Sequence, residues 1–286
     1  MLTVSKSAIK KYRADTYFLN DPISNLKEAI NFVKRRGFVF FWPIKGIELP
    51  SLWVAVAGDR PVPAQHDDPG HITWQWKDSQ LGERVWYYAK VLRKKATLID
   101  LEIAPYFYAL SENYGSPEED YLAQYYAGQL TQESKAVYEA LLYEGPMDTI
   151  SLRQVSRMTS SESSYRFNKA LSELQADFKV LPVGISRAGA WRYAFIYELV
   201  PRHYPQLPDQ ARMITRDVAR RKLVELYIRS VGLTKFRDLT KLFGWKKKDT
   251  EKAINALMET GTIIETKGKE TPSEIWFVLP DLMNNL

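Results

Sequence analysis

Trp42, Trp53, Trp74, Trp76, Trp86, Tyr87 and Tyr88 crowd a stretch that also carries Asp59, Asp67, Asp68 and Asp78. Ring faces attract cations, so Trp42, Trp74 and Trp76 could line a pocket for a positively charged group. The same rings can equally serve as packing in aromatic strands. Asp67, Asp68 and Asp78 fall in or near expected loops, where a carboxylate could activate water. His66, Asp67, Asp68 and His71 could be read as metal ligands, but their spacing matches no established ligand pattern. Pro69-Gly70 suits an ordinary polar turn there, and no metal is assigned. The chain has no cysteine, which excludes disulfides, thiolate metal sites and thiol nucleophiles. With three histidines, no nucleophile–base triad stands out. No GxxxxGKS loop is present, so no nucleotide cofactor is expected, nor any other cofactor.

The cations are grouped. Ser111 to Asp148 holds eight acids and one base, a local charge of −7, which leaves +13 on the rest of a chain whose formal charge is +6. Such segregation suits a polyanion, although a solvated surface has the same composition. Lys34, Arg35, Arg36 and Lys45 form one cluster, and Arg93, Lys94 and Lys95 another. These two are expected to flank one groove. Lys246, Lys247 and Lys248 open an expected helix, with Lys252 a turn later, and the helix dipole there adds attraction for phosphate. The N-terminus lacks the apolar core of a signal peptide, and no apolar run approaches the roughly 18 residues of a membrane span. A soluble, cytoplasmic protein with no membrane partner is expected.

The elements that must position these groups repeat in the C-terminal half. ESKAVYEALLYEG, from Thr131, reads as a helix ending before Gly145-Pro146. A short helix with Leu152, Val155 and Met158 follows, and Ser160 or Ser161 can cap a longer one. In that longer helix Phe167, Ala170, Leu171 and Leu174 make one apolar stripe. The period then switches to strands at DFKVLPVG and WRYAFIYELV around a glycine turn. From Thr215 the order recurs. Arg153 matches Arg237 and Val155 matches Leu239 at one offset, while Leu171 matches Ile254 and Val180 matches Ile263 one residue closer. Three helices and a two-stranded wing are the winged-helix order. In that architecture the third helix enters the major groove and the wing follows the backbone. Ser163, Ser164, Tyr165, Arg166 and Lys169 are then the exposed set on the first copy's third helix, suited to phosphate and base-edge bonds. A protein-interaction or spacer role for either copy is the alternative.

Nearer the start, DPISNLKEAINFVKRRG reads as a helix capped by Asp21, with Pro22 in its first turn and Gly37 as its stop. FVFFW reads as a strand ended by Pro43, and SKSAIKKYRADTYF as a preceding short helix. HITWQW and RVWYYAKVLRKKATLIDLEI read as strands or as a strand–helix mixture. The expected fold is helix-rich α+β with tandem winged-helix domains, three in number. They comprise residues 1–128 with an aromatic and basic insertion, 129–205 and 206–286.

RRGFVFFWPI, residues 35–44, resembles the Gln-x-Asp-Pro-Ile strand segment of the AlkZ/YcaQ-type bacterial DNA glycosylases, and ITWQWKD, residues 72–78, is similar to a second stretch of that family. The layout of N-terminal helix, strand-Pro-Ile, aromatic basic middle and two winged helices resembles it over most of the chain. The resemblance implies tandem winged helices and duplex DNA as partner, in a family that excises alkylated or crosslinked bases, and Trp42, Trp74 and Trp76 would then be the pocket for a flipped, positively charged base. The family's catalytic Gln-x-Gln or Gln-x-Asp pair falls here on Phe40 and Trp42, which places the sequence in an AlkZ-related branch. Neither side chain can orient water or stabilise a sugar cation through an amide or carboxylate. Three functions stay open: DNA binding without catalysis, a glycosylase with a rearranged site, and a regulator or winged-helix scaffold.

Overall fold

The computed structural model describes residues 3–285 apart from 66, 190, 270 and 272. The N-terminal run begins with β1 (Thr3–Val4) and α1 (Lys6–Thr16), where the Ser5 hydroxyl accepts the Ala8 N–H at 3.2 Å. Helix α2 spans Leu26–Arg36, and its cap is Asn25 rather than Asp21. Asn25 Oδ1 accepts from Glu28 N–H at 3.0 Å and the Glu28 carboxylate accepts from Ser24 N–H at 2.8 Å. This reciprocal box satisfies two N-terminal donors and leaves Pro22 outside the helix. Gly37 ends α2 at φ +79°, a conformation that costs a side-chain-bearing residue dearly. There follow β2 (Phe38–Phe40), α3 (Leu52–Ala57), α4 (Ile72–Ser79), β3 (Tyr87–Ala89) and β4 (Thr97–Ile99).

The ITWQWKDS segment is therefore helical. Its aromatic and β-branched content favours a strand, but the chain arrives in a tight turn over Pro69–His71. The Asp68 carboxylate accepts from Gly70 N–H at 2.8 Å, and Pro69 has its backbone preset for a helical turn. Local start chemistry here overrides strand propensity.

Helices α5 (Ala104–Tyr108) and α6 (Pro117–Tyr126) lead into the middle winged helix. It comprises α7 (Gln132–Glu144), β5 (Met147–Asp148), α8 (Thr149–Val155), α9 (Ser164–Ala176), β6 (Val180–Ser186) and β7 (Ala194–Leu199), with strands ordered β5-β7-β6. Ser160 turns the chain ahead of α9 by accepting from Ser163 N–H at 3.2 Å, and the cap position itself is Ser163. Leu152 and Met158 are buried as the stripe requires, whereas Val155 is exposed. Helices α10 (Val200–His203) and α11 (Leu207–Arg212) connect to the last copy. That copy is α12 (Arg216–Val231), β8 (Leu233–Thr234), α13 (Phe236–Phe243), α14 (Lys247–Glu259), β9 (Ile264–Gly268) and β10 (Ile275–Val278). Its strands run β8-β10-β9, the same order as in the middle copy, and β1 adds to the outside of β9 in parallel. Along the chain, α2, β2, α3, α4, β3 and β4 repeat the helix–strand–helix–helix–strand–strand sequence a third time. The fold is helix-rich α+β with tandem winged-helix domains.

The chain gathers into two compact units. One holds the N-terminal run through Gln75, Leu98–Asp100 and the chain from Arg216 onward; the other holds Trp76–Thr97 and Leu101–Thr215. In the first, β4 lies beside β2, with Asp100 N–H bonded to Gly37 O at 2.8 Å. In the second, Val137, Leu141, Leu152, Phe167, Leu174 and Val180 share one apolar core. No helix among the described residues is long and apolar enough to cross a membrane.

Lys179, at the start of β6, is buried with its ammonium donating to Asn113 Oδ1. Burial lowers its pKa to about 8. The unfolded chain therefore holds this proton up to about pH 10.4, while the folded chain releases it near pH 8. Stability should rise as pH climbs between those values, by about 1.4 kcal/mol from pH 7 to 9. Urea unfolding at both pH values should show this rise in the wild type relative to Lys179→Met; an equal pH response in the two proteins would refute it.

Candidate nucleic-acid interface

The site is built on the first unit, where β2, α3 and the start of α4 meet. Ser51 caps α3 by accepting from Val54 N–H at 3.2 Å, and Trp53 N–H bonds to Phe41 O at 3.0 Å. These bonds fix the Trp53 ring, which is fully buried. Gly70 then packs so closely that a Cβ would stand 2.8 Å from the Trp53 ring and 2.9 Å from Ala57. That close approach seats His71 at 5.3 Å from Trp53 and stacks it on Trp74 at 5.1 Å. Trp74 in turn meets Trp42 edge to face at 5.7 Å. Trp42 and Trp74 are both half-exposed, so they form the open side of an aromatic cluster whose floor is Trp53 and His71. Trp42 Nε1 is buried and has no hydrogen-bond partner among the described residues.

Trp76 does not share this face. It lies two positions after Trp74, about 200° around a helix. It is buried within the part of α4 that belongs to the second unit. Phe40 is 0% exposed and lies wholly in the core, one residue pair away from the half-exposed Trp42.

The three candidate carboxylates have separate fates. Asp68 makes a two-pronged bond to Arg60, at 2.6 and 3.0 Å, and those bonds hold its carboxyl below the usual range. Arg60 also lies 5.0 Å over the Trp53 ring, so the pair braces the aromatic floor. Asp67 is exposed. Asp78, in the second unit, lies 2.5 Å from Lys77 Nζ and accepts from Tyr193 Oη at 2.9 Å. The Lys77 side chain is 2% exposed, sits 4.4 Å over the Phe195 ring, and has its pKa lowered by burial. Through the Tyr193 hydroxyl and the Phe195 ring, these two residues hold this end of α4 against the β6–β7 wing within the second unit. His66 lies outside the described residues, and no three His, Asp or Glu side chains gather among the described ones.

The cations divide by partner. On α2, Lys34 is exposed, Arg35 stacks over Phe18 at 5.5 Å, and Arg36 turns inward to donate to Arg229 O at 3.4 Å. Lys45 is exposed. These belong to the first unit and Arg93, Lys94 and Lys95 to the second. Arg93 and Lys94 sit at φ +57° and +56°, exposed between β3 and β4, and Lys94 pairs with Glu173 at 2.9 Å. On α9, Tyr165 is 75% exposed, Lys169 is exposed, Arg166 pairs with Glu133 at 3.1 Å, and Ser163 is buried. At the head of α14, Lys246, Lys247 and Lys248 all stand exposed, and Lys252 pairs with Asp217 at 2.6 Å.

The sequence reading missed one surface. Trp191, at the tip of the β6–β7 wing, is 91% exposed, and Arg187 and Arg192 beside it are exposed too. A bare indole with exposed arginines near it along the chain suits stacking on a base and contact with phosphate. The available signal was a tryptophan directly after a glycine turn, where no strand neighbour can cover it.

A family described as AlkZ related matches residues 23–244, more than three-quarters of the chain. The chain belongs to the AlkZ-related family. Among solved structures this AlkZ-related chain is similar to the DNA glycosylase AlkZ of Streptomyces sahachiroi, with a TM-score of 0.60 at 16% identity over 98% of this chain and 71% of that one. At that identity the likeness is one of fold. No curated protein sequence matches the AlkZ-related chain.

Proposed function

We propose that this chain holds duplex DNA, presents an alkylated, positively charged base to the Trp42–Trp74 face, and contributes no excision chemistry from β2. The observation that carries the reading is the half-exposed aromatic cluster itself. It offers π faces to a cation, while position 40 is a sealed phenylalanine and the single polar atom of position 42, its indole N–H, is buried. Asp68 is committed to Arg60 and Asp78 to Lys77, which leaves neither poised to activate water. The exposed lysines of α14, Lys34 and Arg35 of α2 with Lys45, the Arg93–Lys95 turn, the Tyr165 and Lys169 face of α9 and the Trp191 wing tip are the proposed backbone contacts. Residues 1–128, 129–205 and 206–286 are proposed as the three winged-helix modules.

Cation–π attraction of roughly 0.5–2 kcal/mol predicts that Trp42→Ala lowers the preference for an N7-methylguanine duplex over an unmodified one by about two- to thirtyfold. Competition binding by fluorescence anisotropy measures that ratio. An unchanged preference in the variant, or no preference in the wild type, would count against the base face.

A further inference from the structure

The first unit contains a second concavity. It is a cavity of about 590 Å³ between α1 and the β9–β10 wing, within the roughly 300–1,000 Å³ of small-molecule sites. Two of its lining residues carry buried donors left unsatisfied among the described residues. Tyr17 Oη and Trp276 Nε1 are buried and meet no hydrogen-bond partner among the described residues. Buried polar groups in folded proteins are nearly always bonded, so two orphans lining one cavity point to a ligand that accepts from them.

The charges around them define that ligand. Arg13 pairs with Glu48 at 2.9 Å and Lys235 with Glu274 at 2.6 Å, so those four lining groups neutralise one another. Lys10 and Lys267 line the cavity too, and neither has a carboxylate in ion-pair reach among the described residues. Among the described residues their charges stand uncompensated. Asp59 lines the same cavity as an acceptor, likewise without a cationic partner among the described residues, and Ile9, Leu19 and Leu233 supply apolar wall. An anion alone leaves Asp59 and the apolar wall unused, and a fatty acid leaves Asp59 unmatched. A ligand with a phosphate, a flat apolar body, carbonyl or ring-nitrogen acceptors and an amino donor matches every part. We propose that this cavity binds a nucleoside monophosphate. The phosphate lies between Lys10 and Lys267, the base accepts from Tyr17 and Trp276, and its amino group donates to Asp59. The chain has no glycine-rich phosphate loop, and recognition here comes from side chains. The site does not depend on the Trp42–Trp74 face.

A free nucleotide and the phosphorylated end of a strand offer the same chemistry. The full chain is therefore titrated calorimetrically with dAMP in one arm and with a 5′-phosphorylated blunt hairpin in the other. Lys10→Gln/Lys267→Gln is the first variant, and Lys10 is exposed, so the fold tolerates the change. Binding in either arm should weaken about tenfold or more in this variant, the scale of one lost charge-assisted contact. Deoxyadenosine without its phosphate should bind the wild type correspondingly less well. A readout confined to the pocket is the indole N–H resonance of Trp276, assigned by its loss in Trp276→Phe, which should move when dAMP is added. No binding in either arm, binding indifferent to both lysines, or a Trp276 resonance that stays in place at saturating dAMP would each overturn the proposal.

Discussion

Replacing Lys246, Lys247 and Lys248 together by alanine should cut the salt dependence of duplex binding by close to three phosphates' worth. Each neutralised phosphate contributes a slope of roughly −0.9 in log K against log salt, so the expected change is about 2.7. Between about 50 and 200 mM salt the wild type should then lose roughly fortyfold more affinity than the variant. The three ammonium groups are exposed at the first turn of α14, where orphan N–H groups already favour anions, and none is needed for packing. Lys252 makes an internal control. It already has Asp217 at 2.6 Å, so Lys252→Ala should change the slope by less than one phosphate. Binding titrations of one duplex at several salt concentrations settle the point; parallel lines for wild type and triple variant would remove α14 from the interface.

Phe40→Ala should destabilise the chain by roughly 3–5 kcal/mol, the usual cost of emptying an aromatic core position. Phe40 is 0% exposed, its N–H bonds to Pro50 O at 3.0 Å, and its strand neighbours Phe38, Val39 and Phe41 are buried as well. Phe40→Gln should cost no less, because the amide would enter that core without a partner. Folded domains hold only about 5–15 kcal/mol, so either change consumes a large share. Trp42→Ala, at a half-exposed ring, should cost less than Phe40→Ala. Urea unfolding of the three variants gives the order; a Phe40→Gln protein as stable as the wild type would show that position 40 opens to solvent.

Much of the fold was legible in residue spacing. The offsets that align Arg153 with Arg237 and Leu171 with Ile254 fall on equivalent helices, and the strand orders β5-β7-β6 and β8-β10-β9 agree. Burial repeats at 3.6 residues because one helical face must leave water, and that signal survives in a single sequence. What failed depended on competition between local bonds. Asp21-Pro22 is a good helix start, but Asn25 and Glu28 together satisfy two donors and win. The Trp74 segment looked strand-like until the Asp68–Gly70 turn set it as a helix. The candidate site was legible in residue type and not in direction. Trp42 and Trp74 meet, Trp76 faces away, Arg36 turns inward, and Asp68 is spent on Arg60. Trp191 left no periodic trace as a site, and only its place just after the glycine turn hinted at exposure.

The measurement that bears most directly on the central claim is release of free base from duplexes carrying N7- and N3-alkylated purines, at protein concentrations that saturate duplex binding. With Phe40 in the core and Trp42 offering no amide or carboxylate, release should stay at the rate without protein while the duplex remains bound. Base release well above that rate, whether or not it survives alanine at Asp67, Asp68 and Asp78, would contradict the account.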